Sequence, residues 1–212
     1  MDYKFNWILE SQRLGFLGPS APDIHLEQAL FFSELVLDLC SKFSDCSTLS
    51  LFDLGTGGGF PGLVLAQVLD GVQVYLVESM GKRATFLDDC AGQYEIRDRC
   101  KVMHGRAEVF GHVEGFRESA QFVTAKAFGK AAVTAECASG LVAVGGYVLV
   151  SDPPVNVYSD GDRWNTESLD ILGLKRIKSV SVPFAITVLE KVEVLDDKFP
   201  RETQRLLKNP LF

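Results

Sequence analysis

The 212-residue chain is short of several things, and each shortage removes a class of function. No apolar run approaches the roughly 18 residues that span a bilayer, so a membrane helix is not expected. Met1-Asp2-Tyr3-Lys4 does not begin a secretory leader, which points to a cytoplasmic protein. Cysteine is sparse and unpatterned: Cys40, Cys46, Cys90, Cys100 and Cys137 form no CxxC or other metal spacing. An odd, scattered set of this kind predicts reduced, buried thiols and no metal site. Basic residues are also in deficit. The net charge is −7, so the chain as a whole does not advertise nucleic-acid binding. The deficit is uneven: residues 171–212 hold eight Lys or Arg against five acids, a net +3, which leaves −10 for the remainder. That section is either a local RNA footprint on an acidic body or an ordinary solvated face.

What the chain does have is glycine, concentrated in one place. Leu49 to Leu54 is a short apolar run of β character, and Gly55, Gly57, Gly58, Gly59 and Gly62 follow it. The periodic stretch Leu63, Val64, Leu65, Ala66, Val68, Leu69 comes next, with Pro61 placed for the first helical turn. Strand, glycine turn and helix bring backbone N–H groups close to a nucleotide-like ligand, because a Cβ would obstruct the approach and some positions need positive φ. A second strand, Val72 to Val77, ends in Glu78, about 20 residues beyond the glycines, where a carboxylate can accept from both hydroxyls of an adenosine ribose. Two cofactors satisfy the loop. Gly57-Gly58-Gly59-Phe60-Pro61-Gly62 fits the dinucleotide GxGxxG, and Gly55-Thr56-Gly57-Gly58-Gly59 headed by Asp53 fits the GxGxG of class I S-adenosylmethionine methyltransferases.

Length and order favour the second. With 47% hydrophobic residues the chain is expected to form one globular unit, residues 47–212, behind an N-terminal helical extension, residues 1–46. A separate substrate domain of the dehydrogenase kind is not expected. In the extension, a short helix near Trp7 and a turn at Leu14 to Pro19 precede an amphipathic helix over 23–42 with Asp23 as N-cap; His25 near its start is expected to be exposed or capping. Further strands are predicted at 100–105, 121–127 and 144–150, the last after a Gly145-Gly146 turn, with a helix over 133–142. Ala107 and Glu108 follow the third strand and Lys126 ends the fourth, all at the carboxyl edge where an adenine or a substrate would lie. Glu108 is otherwise an acid at a helix start, and Lys126 otherwise a solvated lysine. Residues 151–162 form a loop at the same edge with a gating role in view. The chain closes with strands at 174–182 and 185–195, an antiparallel hairpin. A terminal hairpin marks the α/β class I methyltransferase fold, a Rossmann-like seven-stranded sheet whose last strand is antiparallel.

Phe52 to Gly62 resembles the first motif of the glucose-inhibited division protein B family, 16S ribosomal RNA guanine-N7 methyltransferases. Glu78-Ser79, Lys82-Arg83 and Phe86-Leu87 are similar to its second motif, and Gly105-Arg106-Ala107-Glu108 to its adenine-side segment. Lys198-Phe199-Pro200-Arg201 with Lys208-Asn209-Pro210-Leu211 resembles its basic tail, and Leu14 to Pro19 the N-terminal stretch of actinobacterial members. The resemblance implies S-adenosylmethionine held by Asp53, Gly55, Gly57, Gly59, Phe60, Glu78, Ser79, Ala107, Glu108 and Lys126. It implies 16S ribosomal RNA or the small ribosomal subunit as partner, met by Arg201, Arg205 and Lys208, with Lys126 the candidate substrate contact and a monomer expected. The chain departs from the family at three cationic places: Glu27-Gln28 stand where Arg-His is usual, Lys126 where Arg is usual, and Ser151-Asp152-Pro153-Pro154 where Leu-Lys-Gly is usual. The alternative is a diverged member that methylates a small molecule or binds cofactor without methylating rRNA. Asp152-Pro153-Pro154 also resembles the Asp-Pro-Pro-Tyr run of exocyclic-amine methyltransferases, but it follows the fifth strand and Val155 replaces the aromatic.

Overall fold

The computed structural model describes residues 5–43, 49–153 and 163–212. Cys46, the boundary at 46/47, Met1 to Lys4 and most of the expected gating loop, Pro154 and Val155 included, lie outside the described residues. The chain divides into two compact units, Met1–Gly105 and Arg106–Phe212.

In the first unit α1 (Trp7–Arg13) and α2 (Pro22–Cys40) precede β1 (Leu49–Leu54), α3 (Gly62–Val68), β2 (Val72–Glu78), α4 (Gly81–Gln93) and β3 (Cys100–His104). The strands are parallel in the order β3-β2-β1, with Leu51 opposite Val74 and Leu76 opposite Val102. Leu51, Leu54, Leu63, Val74 and Leu76 are wholly buried, each contributing about 1.5–3 kcal/mol. Asp23 is not the N-cap of α2. Pro22 occupies the first turn behind Ala21, because a residue without an N–H is cheapest where N–H groups go unpaired. Pro61 sits one place earlier than expected, as the N-cap of α3.

The second unit holds α5 (Ala107–Phe110), β4 (Ala120–Ala125), α6 (Ala131–Ser139), β5 (Val142–Ser151), α7 (Thr166–Ile171), β6 (Leu174–Val180), β7 (Ile186–Lys191) and α8 (Thr203–Lys208). β5 runs parallel to β4, while β7 is antiparallel to β5 and to β6. The seven strands make one mixed sheet in the order β3-β2-β1-β4-β5-β7-β6, the predicted fold class. All nine residues of α6 are buried, which its alanine-rich sequence permits and which also takes Glu136 inside. Gly145-Gly146 is not a turn before β5 but an irregularity within it, where the pairing shifts between Ala120 and Phe122. A Cβ on Gly146 would stand 2.8 Å from the carbonyl oxygen of Gln121, and Gly145 has φ 84°.

Candidate cofactor site and substrate face

In the first unit the loop after β1 is held from two sides by acids. Asp53, the fifth residue of β1 and fully buried, accepts the Gly62 N–H at 2.9 Å and so fixes the start of α3. A Cβ on Gly62 would overlap Leu76 and stand 2.6 Å from Asp53 Oδ2, so this glycine is required by close approach. Glu78, at the end of β2 and 3% exposed, accepts the Gly57 N–H at 3.0 Å through Oε2 and the Met80 N–H at 2.8 Å through Oε1. It thereby locks the β1–α3 loop to the β2–α4 connection. A carboxylate has about four acceptor positions, so two remain after these bonds, the number a ribose diol needs. Gly55 and Gly57 have φ 59° and Gly59 φ 102°, the left-handed region the sequence predicts there.

Thr56 lies between these glycines, 2% exposed, and its Oγ1 has no hydrogen-bond partner among the described residues. A buried hydroxyl left unsatisfied costs about 1–3 kcal/mol, which a polar ligand group can relieve. Positive-φ glycines, a carboxylate with spare acceptor capacity and a buried hydroxyl fit the ribose and polar tail of S-adenosylmethionine. Ser79 is exposed beside them.

The N-terminal arm packs on this loop, an arrangement sequence reasoning missed. Ser11 Oγ donates to the Gly58 carbonyl at 3.1 Å, and the Trp7 ring lies 4.9 Å from that of Phe60. A Cβ on Gly58 would overlap Ser11 Oγ and stand 3.0 Å from the Phe16 carbonyl oxygen. The signal was Gly58, the middle of three consecutive glycines and a position that the GxGxG pattern leaves open. Phe60, expected in the pocket wall, is 3% exposed with its ring between Trp7 and His25. His25 is buried rather than exposed, its Nε2 3.3 Å from the Gly18 carbonyl oxygen. An open groove of about 390 Å³ between α4 and β3 is lined by Gly81, Ala84, Thr85, Asp88, Val102 and His104, none of them a predicted site residue. Burial raises the Cys90 and Cys100 thiols to about 12, making them inert packing groups.

In the second unit Ala107 and Glu108 open α5, and both are buried. Glu108 accepts a short hydrogen bond from the Thr203 hydroxyl, which ties α5 to the start of α8. Arg201 donates to Glu136 through Nε at 2.8 Å, Nη2 at 2.6 Å and its backbone N–H at 2.7 Å. Glu136 is 1% exposed, so Arg201 is engaged in neutralising a buried charge; this pairing raises its pKa. Arg205 and Lys208 are exposed and three residues apart on α8, hence on one face. Lys126 lies just beyond the end of β4, half-buried.

Asp152 is the feature the sequence presented least clearly. Oδ1 accepts from Arg163 at 2.9 Å and from Trp164 Nε1 at 3.2 Å, and Oδ2 accepts from Thr187 at 2.5 Å. Each oxygen is therefore engaged by neighbouring side chains. Arg163 also reaches the Gly129 carbonyl at 3.4 Å, which sets a guanidinium beside the ends of β4 and β5. Among the described residues no group of His, Cys, Asp and Glu could hold a metal, and no helix is long and apolar enough to cross a membrane.

Comparison with known proteins agrees with this architecture. The family described as "GidB: rRNA small subunit methyltransferase G" matches residues 14–152. A Ribosomal RNA small subunit methyltransferase G of Clostridium tetani is 31% identical over 178 residues, covering 80% of this chain and 73% of that protein. One from Bacillus cereus is 31% identical over 189 residues, covering 85% and 77%. Among solved structures, the O-methyltransferase from Bacillus cereus in complex with SAH superposes with a TM-score of 0.59 at 15% identity, covering 91% of this chain and 92% of that one. The last likeness speaks for the fold.

Proposed function

The chain belongs to the rRNA small subunit methyltransferase G family, and from that premise we propose that it transfers a methyl group from S-adenosylmethionine to N7 of a guanine in 16S ribosomal RNA. The observation that carries the cofactor half is the Glu78 carboxylate, which clamps the glycine loop through the Gly57 N–H and keeps two acceptor positions for a ribose. When bound, S-adenosylmethionine supplies an electrophilic methyl on a sulfonium. The residues that would hold it are Gly55, Thr56, Gly57 and Gly59 by backbone and hydroxyl, and Glu78 with Ser79 at the ribose, with Ala107 and Glu108 assigned to the adenine. Asp53 and Phe60 act by shaping the loop, one from beneath and one through Trp7.

Guanine N7 carries a lone pair and no proton, so the residues have no general-base step to perform. Their work is to place the base in line with the methyl and to exclude water. Asp152 supports this assignment over exocyclic-amine transfer. An amine needs a positioned acceptor for its N–H, and Arg163, Trp164 and Thr187 already take three of the about four acceptor positions of Asp152. We assign Lys126 to the substrate edge and Arg205 and Lys208 to RNA phosphate, whereas Arg201 holds the tail. Residues 47–212 are the proposed catalytic domain and 1–46 its extension; a cytoplasmic monomer without metal is the working form.

The test is calorimetric titration with S-adenosylhomocysteine, then tritiated-methyl transfer to small ribosomal subunits from a strain lacking the gene. Binding with transfer into N7 of 16S rRNA is expected. Binding without transfer would favour the diverged reading, to which Glu27-Gln28 and Lys126 point, and absence of binding would overturn the cofactor assignment.

A further inference from the structure

We propose that the outer strand β6 is a second docking surface, one that grips the phosphate backbone of the RNA away from the methylated base. The inference rests on the rRNA reading above and concerns residues that reading does not use. β6 reads Leu-Lys-Arg-Ile-Lys-Ser-Val from 174 to 180, and residues 175–179 are all exposed. It stands last in the sheet order, and among the described residues it pairs with β7 alone. Three cations and no acid fall within four positions of a chain whose net charge is −7.

Their arrangement is set by a break in register. Lys175 pairs with Glu190 and Arg176 with Leu189, but Lys178 pairs with Val188, so Ile177 is an extra residue on β6. Residues 190 and 188 lie on one face of β7, and cross-strand partners share a face. The bulge therefore brings Lys175 and Lys178 to the same face, about 7 Å apart along the strand, with Arg176 on the other. Without it the two lysines would point to opposite faces. Glu190 is the one acid in register with the strip.

Position gives the strip its partner. The backbone N–H of Asp152 donates to the Ala185 carbonyl at 2.8 Å, so the β6–β7 turn lies at the carboxyl end of β5. Arg163, bound to Asp152, and exposed Lys130, just before α6, are at that same end of the second unit. The β6 cations extend this set of positive groups along the margin of the sheet. A lysine on an outer strand also prevents strand-to-strand association, but one suffices for that. Three cations, two of them turned to one face by a bulge, suit an extended polyanion whose affinity comes from counterion release.

The experiment uses the full chain with Lys175, Arg176 and Lys178 all changed to Gln, and a charge-matched control with Arg97, Arg99 and Lys101 changed to Gln; each triple takes the net charge from −7 to −10. Binding of 16S rRNA is titrated across salt concentrations, S-adenosylhomocysteine binding by calorimetry reports an intact fold, and size-exclusion chromatography reports association. The β6 triple is expected to flatten the slope of log K against log salt by about 2–3 and to weaken rRNA binding at least tenfold at low salt, with the control near wild type. A wild-type slope in the β6 triple, or an equal loss in the control, overturns the docking surface, as does self-association with unchanged RNA affinity. If wild type binds rRNA without methylating it and the β6 triple still loses slope, the surface stands and the guanine-N7 reading falls. If wild type binds no rRNA, both fall.

Discussion

Replacing Arg201 by Gln separates two roles that the basic tail permits. Were Arg201 a phosphate contact, the change would weaken RNA binding and leave the fold alone. The structure places its guanidinium on Glu136, with three N–H groups of Arg201 on one carboxylate and Nη1 on the Asn209 carbonyl at 3.0 Å. Glu136 is 1% exposed in a helix buried on every side, so removing its partner strands a charge. Breaking one side of a buried pair costs about 3–5 kcal/mol. For a chain of this size each kcal/mol is worth about 2–4 °C, so the melting temperature should fall by roughly 6–20 °C. Scanning calorimetry with S-adenosylhomocysteine present and absent is the assay. Glu136→Leu with Arg201→Leu should regain most of the loss, because a buried pair exchanged for apolar volume is close to neutral. A drop below about 2 °C in the single variant, alongside weaker RNA binding, would refute the reasoning and return Arg201 to the RNA face.

Glu78→Gln should lose about 1.5–3 kcal/mol of S-adenosylhomocysteine affinity, ten- to hundredfold, because an amide presents donors where Gly57 and Met80 also donate; calorimetry giving an unchanged Kd would exclude the ribose assignment. Gly58→Ala should destabilise by about 1–3 kcal/mol through collision with Ser11 and the Phe16 carbonyl, and expose residues 5–20 to protease; Ser11→Gly in the same chain should recover part of it. Lys191 is fully buried, donating to Ser139 and the Leu172 carbonyl and paired with Glu118 at 3.2 Å. Burial lowers its pKa from 10.5 to about 8, with Glu118 opposing the fall. Between pH 8 and 10.5 the folded state thus binds fewer protons than the unfolded one, and stability gains with pH. The urea midpoint of wild type should rise relative to Lys191→Met over that window, and a flat difference would disprove the lowered pKa.

The parts legible in the sequence were those with a period or a tight steric rule. Some glycines of the loop were expected at positive φ, which Gly55, Gly57 and Gly59 adopt, and the terminal hairpin announced itself by two β-rich runs around Pro183-Phe184. What stayed hidden depended on partners far along the chain. Asp53 reads as a ligand group beside a glycine loop, yet it accepts the Gly62 N–H, nine residues further on. Asp152 reads as half of a catalytic motif until Thr187, 35 residues on, is seen to occupy it. Arg201 reads as a surface cation because nothing local shows that Glu136, 65 residues earlier, is buried. Gly145-Gly146 has the composition of a turn, and only the shifted pairing with β4 shows it to be part of a strand. Long-range compensation of a buried charge has no short-range signature.

The tail bonds also bear on synthesis. Glu108 waits for Thr203, 95 residues later, the His112 ring for the Pro200 carbonyl, 88 later, and Arg117 for the Phe199 carbonyl, 82 later. At about 5–20 residues per second, the ribosome needs on the order of 5–20 s to deliver those partners. Through that interval the polar groups around α5 keep only their local partners, such as the Gly111 carbonyl for Arg117 and Arg106 for Glu108, and meet water in place of the tail. The second unit is therefore bound to mature after translation has passed residue 203, and an enzyme whose substrate is ribosomal RNA would depend on the ribosome finishing its tail before it could act on the next one.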